Sequence, residues 1–222
     1  REEMQRRVKG AFLDADNALS EALQEYCGLE FDGSTGCAVI RNGRDILISF
    51  VGDSSCVVGN NGFAKRLTQD HAPMKAEERY RIEASGGMVA AFPDEPPPEI
   101  SGKARVFVAD QMFPGLAVSR AFGDLVAKTV GVIAEPECVD YTARGDEVLI
   151  VGSDGVWDVV TNEEAVGICM QHYDKRDAVL ATADLVDTAR KRWEAFQQEF
   201  VEEGGDRESF SIDDISAVTV FL

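Results

Sequence analysis

The fold is decided by the segment Glu147-Val148-Leu149-Ile150-Val151-Gly152-Ser153-Asp154-Gly155-Val156-Trp157-Asp158. Its first five residues predict a strand. Because the apolar side chains occupy both faces, we expect this strand to lie in the middle of a sheet that is covered on both sides. Aspartate is disfavoured in strands, so we expect the strand to end before Asp154. The sequence therefore predicts a buried strand that runs directly into a carboxylate.

Two other places share this design, Phe50-Val51-Gly52-Asp53-Ser54 and Ser211-Ile212-Asp213-Asp214-Ile215. A carboxylate at a strand end is most often a turn or helix cap, and that interpretation stays open for each of them. If the strands are neighbours, however, the carboxylates converge on one end of the sheet. Two unit charges 4 Å apart repel by about 4 kcal/mol at an effective dielectric constant near 20, so convergence implies a bound cation. The candidate ligands are Asp53, Asp154, Asp158 and Asp213.

The ligand types indicate which cation this would be. Carboxylate oxygens, without a cysteine pair or closely spaced histidines, favour Mg²⁺ or Mn²⁺ over zinc. Two such ions can activate water and hold the oxygens of an in-line phosphoryl displacement. The residues alone therefore predict a metal-dependent phosphoesterase.

Composition excludes other classes of function. The 222 residues include 22 Lys and Arg against 40 Asp and Glu, a net charge of −18, which disfavours nucleic acid and anionic membranes as partners. No apolar run approaches the roughly 18 residues of a membrane helix. The five cysteines are odd in number and scattered, which argues against a disulfide framework and predicts an intracellular location. We interpret them as buried apolar residues, with a redox-sensitive thiol as the alternative.

Hydrophobic periodicity organises the rest of the chain into an α+β pattern. Helices are predicted at 2–26, 73–85 and 176–198, and after the capping box Thr161-Asn162-Glu163-Glu164. Strands are predicted at 37–40, 46–51, 56–58, 63–65, 147–151 and 215–221. The proline-rich stretch 92–102 predicts a surface loop or flap. We find no linker, so we expect one domain over 1–222, and the charged start at Arg1 suggests that an N-terminal segment is missing.

Six motifs, in this order, resemble the metal-dependent protein phosphatase (PPM) family, the type 2C serine/threonine phosphatases. The resemblance covers residues 32–222. The motifs are Asp32-Gly33-Ser34-Thr35-Gly36, Val51-Gly52-Asp53-Ser54, Leu67-Thr68-Gln69-Asp70-His71, Leu116-Ala117-Val118-Ser119-Arg120-Ala121-Phe122-Gly123-Asp124, Pro136-Glu137 and Ser153-Asp154-Gly155-Val156-Trp157-Asp158.

The resemblance implies a central sandwich of two antiparallel β-sheets flanked by α-helices on both sides. It also implies hydrolysis of phosphoserine and phosphothreonine on phosphoprotein substrates by metal-activated water, without a phosphoenzyme. Asp154 and Asp213 match ligands of a pair of Mg²⁺ or Mn²⁺ ions, and Asp53 and Asp158 join Asp154 in a third position. No catalytic residue beyond these ligands and no substrate-binding residue is assigned. Residues 88–115 match a flap, and we expect a monomer in the cytoplasm or nucleus.

Departures from the family keep alternatives open. The aspartate-glycine-histidine-glycine-glycine motif, whose aspartate bridges both metals, is not in these residues, so activity requires that motif in the full protein. The alternative is a catalytically inactive, phosphatase-like regulatory module. A serine esterase with Ser54 as nucleophile would need an Asp-x-x-His partner, and neither histidine has one. His71 is either a general acid or a structural group, and Arg120 either contacts phosphate or forms a structural ion pair.

Overall fold

The computed structural model describes residues 1–26, 28–92, 98 and 103–222. The helices are α1 (Glu2–Gln24), α2 (Ala76–Ala84), α3 (Leu125–Lys128), α4 (Asp154–Trp157), α5 (Asn162–Met170) and α6 (Ala178–Glu202), with a 3₁₀ turn at Arg207–Ser209. The strands are β1 (Gly33–Ser34), β2 (Gly36–Asn42), β3 (Asp45–Val51), β4 (Ser55–Asn60), β5 (Phe63–Arg66), β6 (Gly87–Ala90), β7 (Arg105–Val108), β8 (Pro114–Leu116), β9 (Phe122–Gly123), β10 (Glu137–Thr142), β11 (Val148–Gly152) and β12 (Ala217–Phe221).

The chain divides into two compact units. The first unit comprises Arg1–Val39, Ser49–Asp53 and Asp70–Val139, and the second comprises Ile40–Ile48, Ser54–Gln69 and Asp140–Leu222. The first unit contains the sheet β6-β7-β8 and the pair β1-β9, and the second contains the sheet β12-β11-β4-β5. A third sheet has the strand order β10-β3-β2. Helices with antiparallel sheets confirm the predicted α+β class.

The second unit is built on β11, as the segment that decides the fold predicts. Val148 and Ile150 are completely buried and Leu149 is 1% exposed, so both faces of the strand are covered. It pairs antiparallel with β12 on one side and with β4 on the other. Val148 and Ile150 share a hydrophobic cluster with side chains of α5 and α6, which therefore cover one face of this sheet.

The capping box that begins α5 is confirmed. The Thr161 hydroxyl accepts from the Glu164 amide at 3.3 Å, and the Glu164 carboxylate accepts from the Thr161 amide at 3.0 Å. Arg192 of α6 adds a bidentate ion pair to Glu164, with nitrogen to oxygen distances of 2.9 and 2.7 Å. The hydrogen bonds from Arg192, and next from the Thr161 amide, lower the pKa of Glu164 to about 2. The capping carboxylate is therefore also the point at which α6 is joined to α5.

The first unit contains a buried ionic cluster of Glu78 with Arg81, Ser119 and Arg120. Glu78, in α2, has a side chain only 3% exposed and accepts from Arg120 Nη2 at 2.6 Å and from Arg81 Nη2 at 2.8 Å. The Ser119 hydroxyl also donates to it, at 2.5 Å. Arg120 is thus engaged in a structural ion pair, which confirms that alternative for this residue.

Several boundaries differ from the sequence prediction. The helix expected to begin at Pro73 begins at Ala76, the final helix covers Ala178–Glu202 rather than 176–198, and β12 begins at Ala217. The strands β6, β7 and β8 were not predicted, and they form a sheet within the stretch expected to be a flap. Most of the predicted loop at 92–102 lies outside the described residues, which omit 93–97 and 99–102.

Two predictions about the chain as a whole can be compared with the described residues. In the ranges that the structure covers, no helix combines the length and the apolar character needed to cross a membrane. Four cysteines are free thiols, namely Cys37, Cys56, Cys138 and Cys169, while Cys27 falls outside the described residues. Cys56 and Cys169 are completely buried, as expected for small apolar side chains, whereas Cys37 and Cys138 are partly exposed and depart from that prediction.

Candidate active site

The pairing of β11 with β12 brings two of the predicted ligands to one end of a sheet. Gly152, the last residue of β11, is paired with Ala217, the first residue of β12. Because the strands are antiparallel, the turn that follows β11 and the segment that precedes β12 leave the sheet at the same end. Asp154 lies in the turn and Asp213 in the segment, so both residues are at this end of the sheet. The prediction that a strand runs into Asp213 was wrong, because Asp213 precedes β12 and no strand precedes it in the segment from Ser211.

Both carboxylates are oriented by the backbone in the same way. The Gly155 amide donates to Asp154 Oδ1 at 2.9 Å, and the Asp214 amide donates to Asp213 Oδ1 at 2.8 Å. Asp154 is half-buried at the start of α4, whereas Asp213 is exposed. In each case the amide of the next residue fixes one carboxylate oxygen and hence the direction of the other.

Ser153 cross-links the two segments that carry these aspartates. Its amide donates to the Ser216 carbonyl at 3.0 Å, and its hydroxyl donates to the Asp214 carbonyl at 2.9 Å and accepts from the Ser216 amide at 3.1 Å. Gly155 lies so close to the second segment that a Cβ there would be 2.4 Å from the Asp214 carbonyl oxygen. Only glycine fits at this position without a backbone shift.

Two tryptophans hold the turn from its other side. Trp157 Nε1 donates to the Gly152 carbonyl at 2.9 Å, and Trp193 Nε1, from α6, donates to the Gly155 carbonyl at 2.8 Å. Both rings pack against the hydrophobic cluster of the second unit. Hydrogen bonds to backbone carbonyls therefore fix the turn immediately before and after Asp154.

The electrostatics of this end of the sheet favour a cation. Burial, the charge of Asp213 and then that of Asp158 raise the pKa of Asp154, while the Gly155 amide lowers it. A hard divalent cation would relieve this repulsion, and carboxylate oxygens are the donors that Mg²⁺ and Mn²⁺ prefer. Within the described ranges, no group of three or more His, Cys, Asp or Glu residues is arranged to hold a metal. The acidic side chains are therefore of the chemical type that such a cation prefers, and the assignment of Asp154, Asp158 and Asp213 as its ligands remains a prediction.

Asp53, the fourth predicted ligand, belongs to the first unit. It follows Gly52, a residue with a φ of +85° at which a Cβ would lie 2.3 Å from Cγ2 of Thr35. Gly52 is fixed by His71, whose Nδ1 accepts from the Gly52 amide at 3.0 Å and whose own amide donates to the Gly52 carbonyl at 2.9 Å. The backbone before Asp53 is therefore held rigidly, and its role as a ligand remains a prediction.

His71 itself is a structural group in this unit. Its side chain is completely buried and stacks on Phe50 with ring centroids 4.9 Å apart. Burial, and next the charge of Arg120, lower the pKa of His71 from 6.5 to about 3. The imidazole is therefore neutral near pH 7, which favours the structural alternative over the general acid.

Acidification should remove the stability that depends on neutral His71. The unfolded chain binds a proton near pH 6.5 and the folded chain only near pH 3, so this contribution is complete above pH 6.5 and decreases as the pH falls. Between pH 7 and pH 5 the free energy of unfolding of the wild type should fall by about 2 kcal/mol relative to His71→Asn. Urea unfolding at the two pH values measures this difference.

The comparison with His71→Asn removes other titrations from the result. Asparagine retains an acceptor for the Gly52 amide, and the remaining groups are common to both proteins. Among them, burial raises the pKa of Asp124 to about 6, which changes stability with the opposite sign and cancels in the comparison. Equal pH dependence in the two proteins would show that His71 does not titrate as stated.

Comparisons with known proteins identify the family of the chain. The family model described as Protein phosphatase 2C matches residues 2–194. The chain belongs to the protein phosphatase 2C family. Two similar curated relatives are Probable protein phosphatase 2C 12 of Oryza sativa subsp. japonica, 37% identical over 227 residues, and Probable protein phosphatase 2C 73 of Arabidopsis thaliana, 31% identical over 222 residues.

A solved structure extends the likeness to the fold of this protein phosphatase 2C family member. The serine-threonine phosphatase 2C from Toxoplasma gondii superposes with a TM-score of 0.79 at 25% identity, covering 98% of this chain and 67% of that one. The two plant relatives match 100% and 96% of this chain, which spans 53% and 55% of their own lengths. The chain thus spans about half the length of these curated relatives.

Sequence reasoning missed two residues of the site. Ser153 was recognised only as part of a motif. No local pattern predicts that its side chain links the turn after β11 to the segment before β12, because the two meet only through strand pairing. Trp193 lies in the middle of a long amphipathic helix, where an aromatic residue normally indicates core packing. Its polar contact with Gly155 depends on the angle at which α6 crosses the turn, which the sequence does not encode locally.

Proposed function

We propose that the complete protein hydrolyses phosphoserine and phosphothreonine on protein substrates and requires Mg²⁺ or Mn²⁺. One observation carries the proposal: Asp154 and Asp213 lie at the same end of the sheet, and each accepts from the amide of the next residue. Family membership and the printed names of the relatives support the reaction class. They give no support to the inactive regulatory module or to the serine esterase.

Each residue of the site has a physical role in this proposal. Asp154 and Asp213 would hold a pair of divalent ions, and Asp53 and Asp158 would join Asp154 at a third position. Bound divalent ions supply Lewis acidity that activates water and offsets charge on the phosphoryl oxygens. The chain itself holds its carboxylates in fixed directions through Ser153, Gly155 and Asp214, so little reorganisation is needed when a substrate binds.

The remaining sequence predictions complete the proposal. We treat residues 1–222 as a single phosphatase-like domain and residues 88–115 as a flap that helps to select substrates. The parts of this flap at 93–97 and 99–102 lie outside the described residues. A monomeric state and a cytoplasmic or nuclear location belong to the same proposal.

The test is phosphate release from a phosphothreonine peptide by the complete protein. Release should proceed with Mn²⁺ or Mg²⁺, fall to background when a chelator is in excess, and return when Mn²⁺ is added beyond the chelator. Release that persists in the chelator would contradict metal dependence. A folded protein that releases no phosphate with either ion would instead support the inactive module.

A further inference from the structure

Trp193 contacts both chain segments that carry the candidate ligands of the second unit. Its Nε1 donates to the Gly155 carbonyl at 2.8 Å. Its ring also meets the ring of Phe210 edge to face, with centroids 6.4 Å apart, and Phe210 lies three residues before Asp213. The side chain thus links α6 to the turn of Asp154 and to the segment of Asp213.

The contact with Gly155 reaches the Asp154 carboxylate in two steps. Trp193 fixes the carbonyl of Gly155, and the amide of the same residue donates to Asp154 Oδ1. Gly155 has no side chain that could restrain it, and the absence of a Cβ is required by the nearby Asp214 carbonyl. The orientation of this glycine therefore depends on hydrogen bonds from its neighbours.

The segment of Asp213 is held on α6 by a small aromatic cluster. Phe210 also packs against Phe200, with centroids 5.5 Å apart, and its carbonyl accepts from Gln197 Nε2 at 3.4 Å. These contacts fix Phe210 between two turns of α6, with Trp193 on one side and Phe200 on the other. Movement of Trp193 would thus alter contacts of both segments, the turn of Asp154 and the segment of Asp213.

We infer that Trp193 is a positioning residue for the proposed metal site, which holds the turn of Asp154 and the segment of Asp213 in place. This inference rests on the proposed function. Residues that orient metal ligands through hydrogen bonds contribute about 10- to 100-fold to metal affinity or activity. Trp193 acts through Gly155 and Phe210 and contacts no reacting atom.

Trp193→Phe in the complete protein tests the inference, because it removes the N–H donor and retains an aromatic ring. The Mn²⁺ dissociation constant measured by calorimetry should rise about tenfold, and the Mn²⁺ concentration for half-maximal phosphate release should rise by a similar factor. The KM for the phosphopeptide at saturating Mn²⁺ should stay within about twofold, because the residue acts on the metal ligands alone.

Phe196→Leu is the matched control on the same helix. Phe196 is 46% exposed and meets Trp193 edge to face at 6.3 Å, so the change disturbs the aromatic packing but leaves the Nε1 contact intact. It should leave the Mn²⁺ dissociation constant unchanged. The inference is overturned, while the proposed function stands, if the Mn²⁺ dissociation constant is unchanged in Trp193→Phe or rises equally in Trp193→Phe and Phe196→Leu. A wild-type protein that binds no Mn²⁺ overturns both.

Discussion

Replacement of Asp154 by alanine should reduce the rate of phosphate release by about a thousandfold or more at saturating Mn²⁺. This loss equals or exceeds the usual loss of rate when one charge-stabilising group is removed from an active site. Asp154 is the half-buried carboxylate of the pair, and its pKa is raised by burial and by Asp213 and Asp158. It is therefore the group on which a cation has the greatest effect. The measurement is the rate of phosphate release from a phosphothreonine peptide.

Asp214→Ala is the control for this prediction. Asp214 is exposed and follows a candidate ligand, and the variant removes the same charge while retaining the amide that donates to Asp213. At saturating Mn²⁺ its activity should stay within about threefold of the wild type. Equal losses of activity in Asp154→Ala and Asp214→Ala would show that the effect comes from the overall negative charge of the region. Full activity in Asp154→Ala would refute the assignment of Asp154 as a metal ligand.

Loss of activity on substitution of Asp154 should not result from unfolding of the protein. Because the folded environment disfavours the charged form of Asp154, removal of that charge should leave the metal-free protein equally or more stable. Asp154→Asn keeps an oxygen that can accept from the Gly155 amide and is the better variant for this comparison. Its thermal midpoint without metal should equal or exceed that of the wild type.

Replacement of Glu78 by glutamine should lower the free energy of unfolding by about 3–5 kcal/mol, the usual loss when one partner of a buried ion pair is removed. Burial by itself would raise the pKa of Glu78, but hydrogen bonds from Arg120, Arg81 and Ser119 outweigh it and lower the pKa to about 2. The neutral amide would remove the anion that Arg81 and Arg120 share, and Arg120, whose side chain is only 12% exposed, would retain the longer ion pair with Glu137 at 3.4 Å.

Glu83→Gln, on the same helix, separates burial from charge pairing. Glu83 accepts from Arg79 Nε at 2.7 Å and has a side chain 48% exposed, so its ion pair is largely solvated. Its loss should cost no more than about 0.5 kcal/mol. Urea unfolding of both variants gives the comparison, and a loss below about 1 kcal/mol in Glu78→Gln would show that the buried cluster does not stabilise the fold as argued.

Local patterns predicted the parts of the structure that depend on local chemistry. The apolar run before Gly152 predicted a buried central strand, and Thr161 with Glu164 predicted the helix start that is observed. Asp154 and Asp213 were predicted to lie at one end of the sheet if their strands were neighbours, and the pairing of β11 with β12 meets that condition. Each of these inferences uses only side-chain periodicity, capping or the geometry of strand pairing.

The parts that were missed depend on contacts between distant residues. Strands β6 and β7 are short, and their pairing from Gly87↔Val108 to Ala90↔Arg105 spans the proline-rich stretch, where turn signals dominate the sequence. The contact between Trp193 and Gly155 joins residues 38 positions apart and depends on how a helix crosses a turn. Whether Asp53 completes the metal site stays a prediction for the same reason, because it concerns groups on different units.

The pairing of β11 with β12 also determines when, during synthesis of the protein, the two candidate ligands can come together. Ser153 cannot form its bonds to Asp214 and Ser216 until residues more than 60 positions later have left the ribosome. Chains are synthesised at about 5–20 residues per second, so Asp213 is added several seconds after Asp154. On the proposed assignment, Asp154 and Asp213 would be able to share a divalent ion only after β12 has joined the sheet.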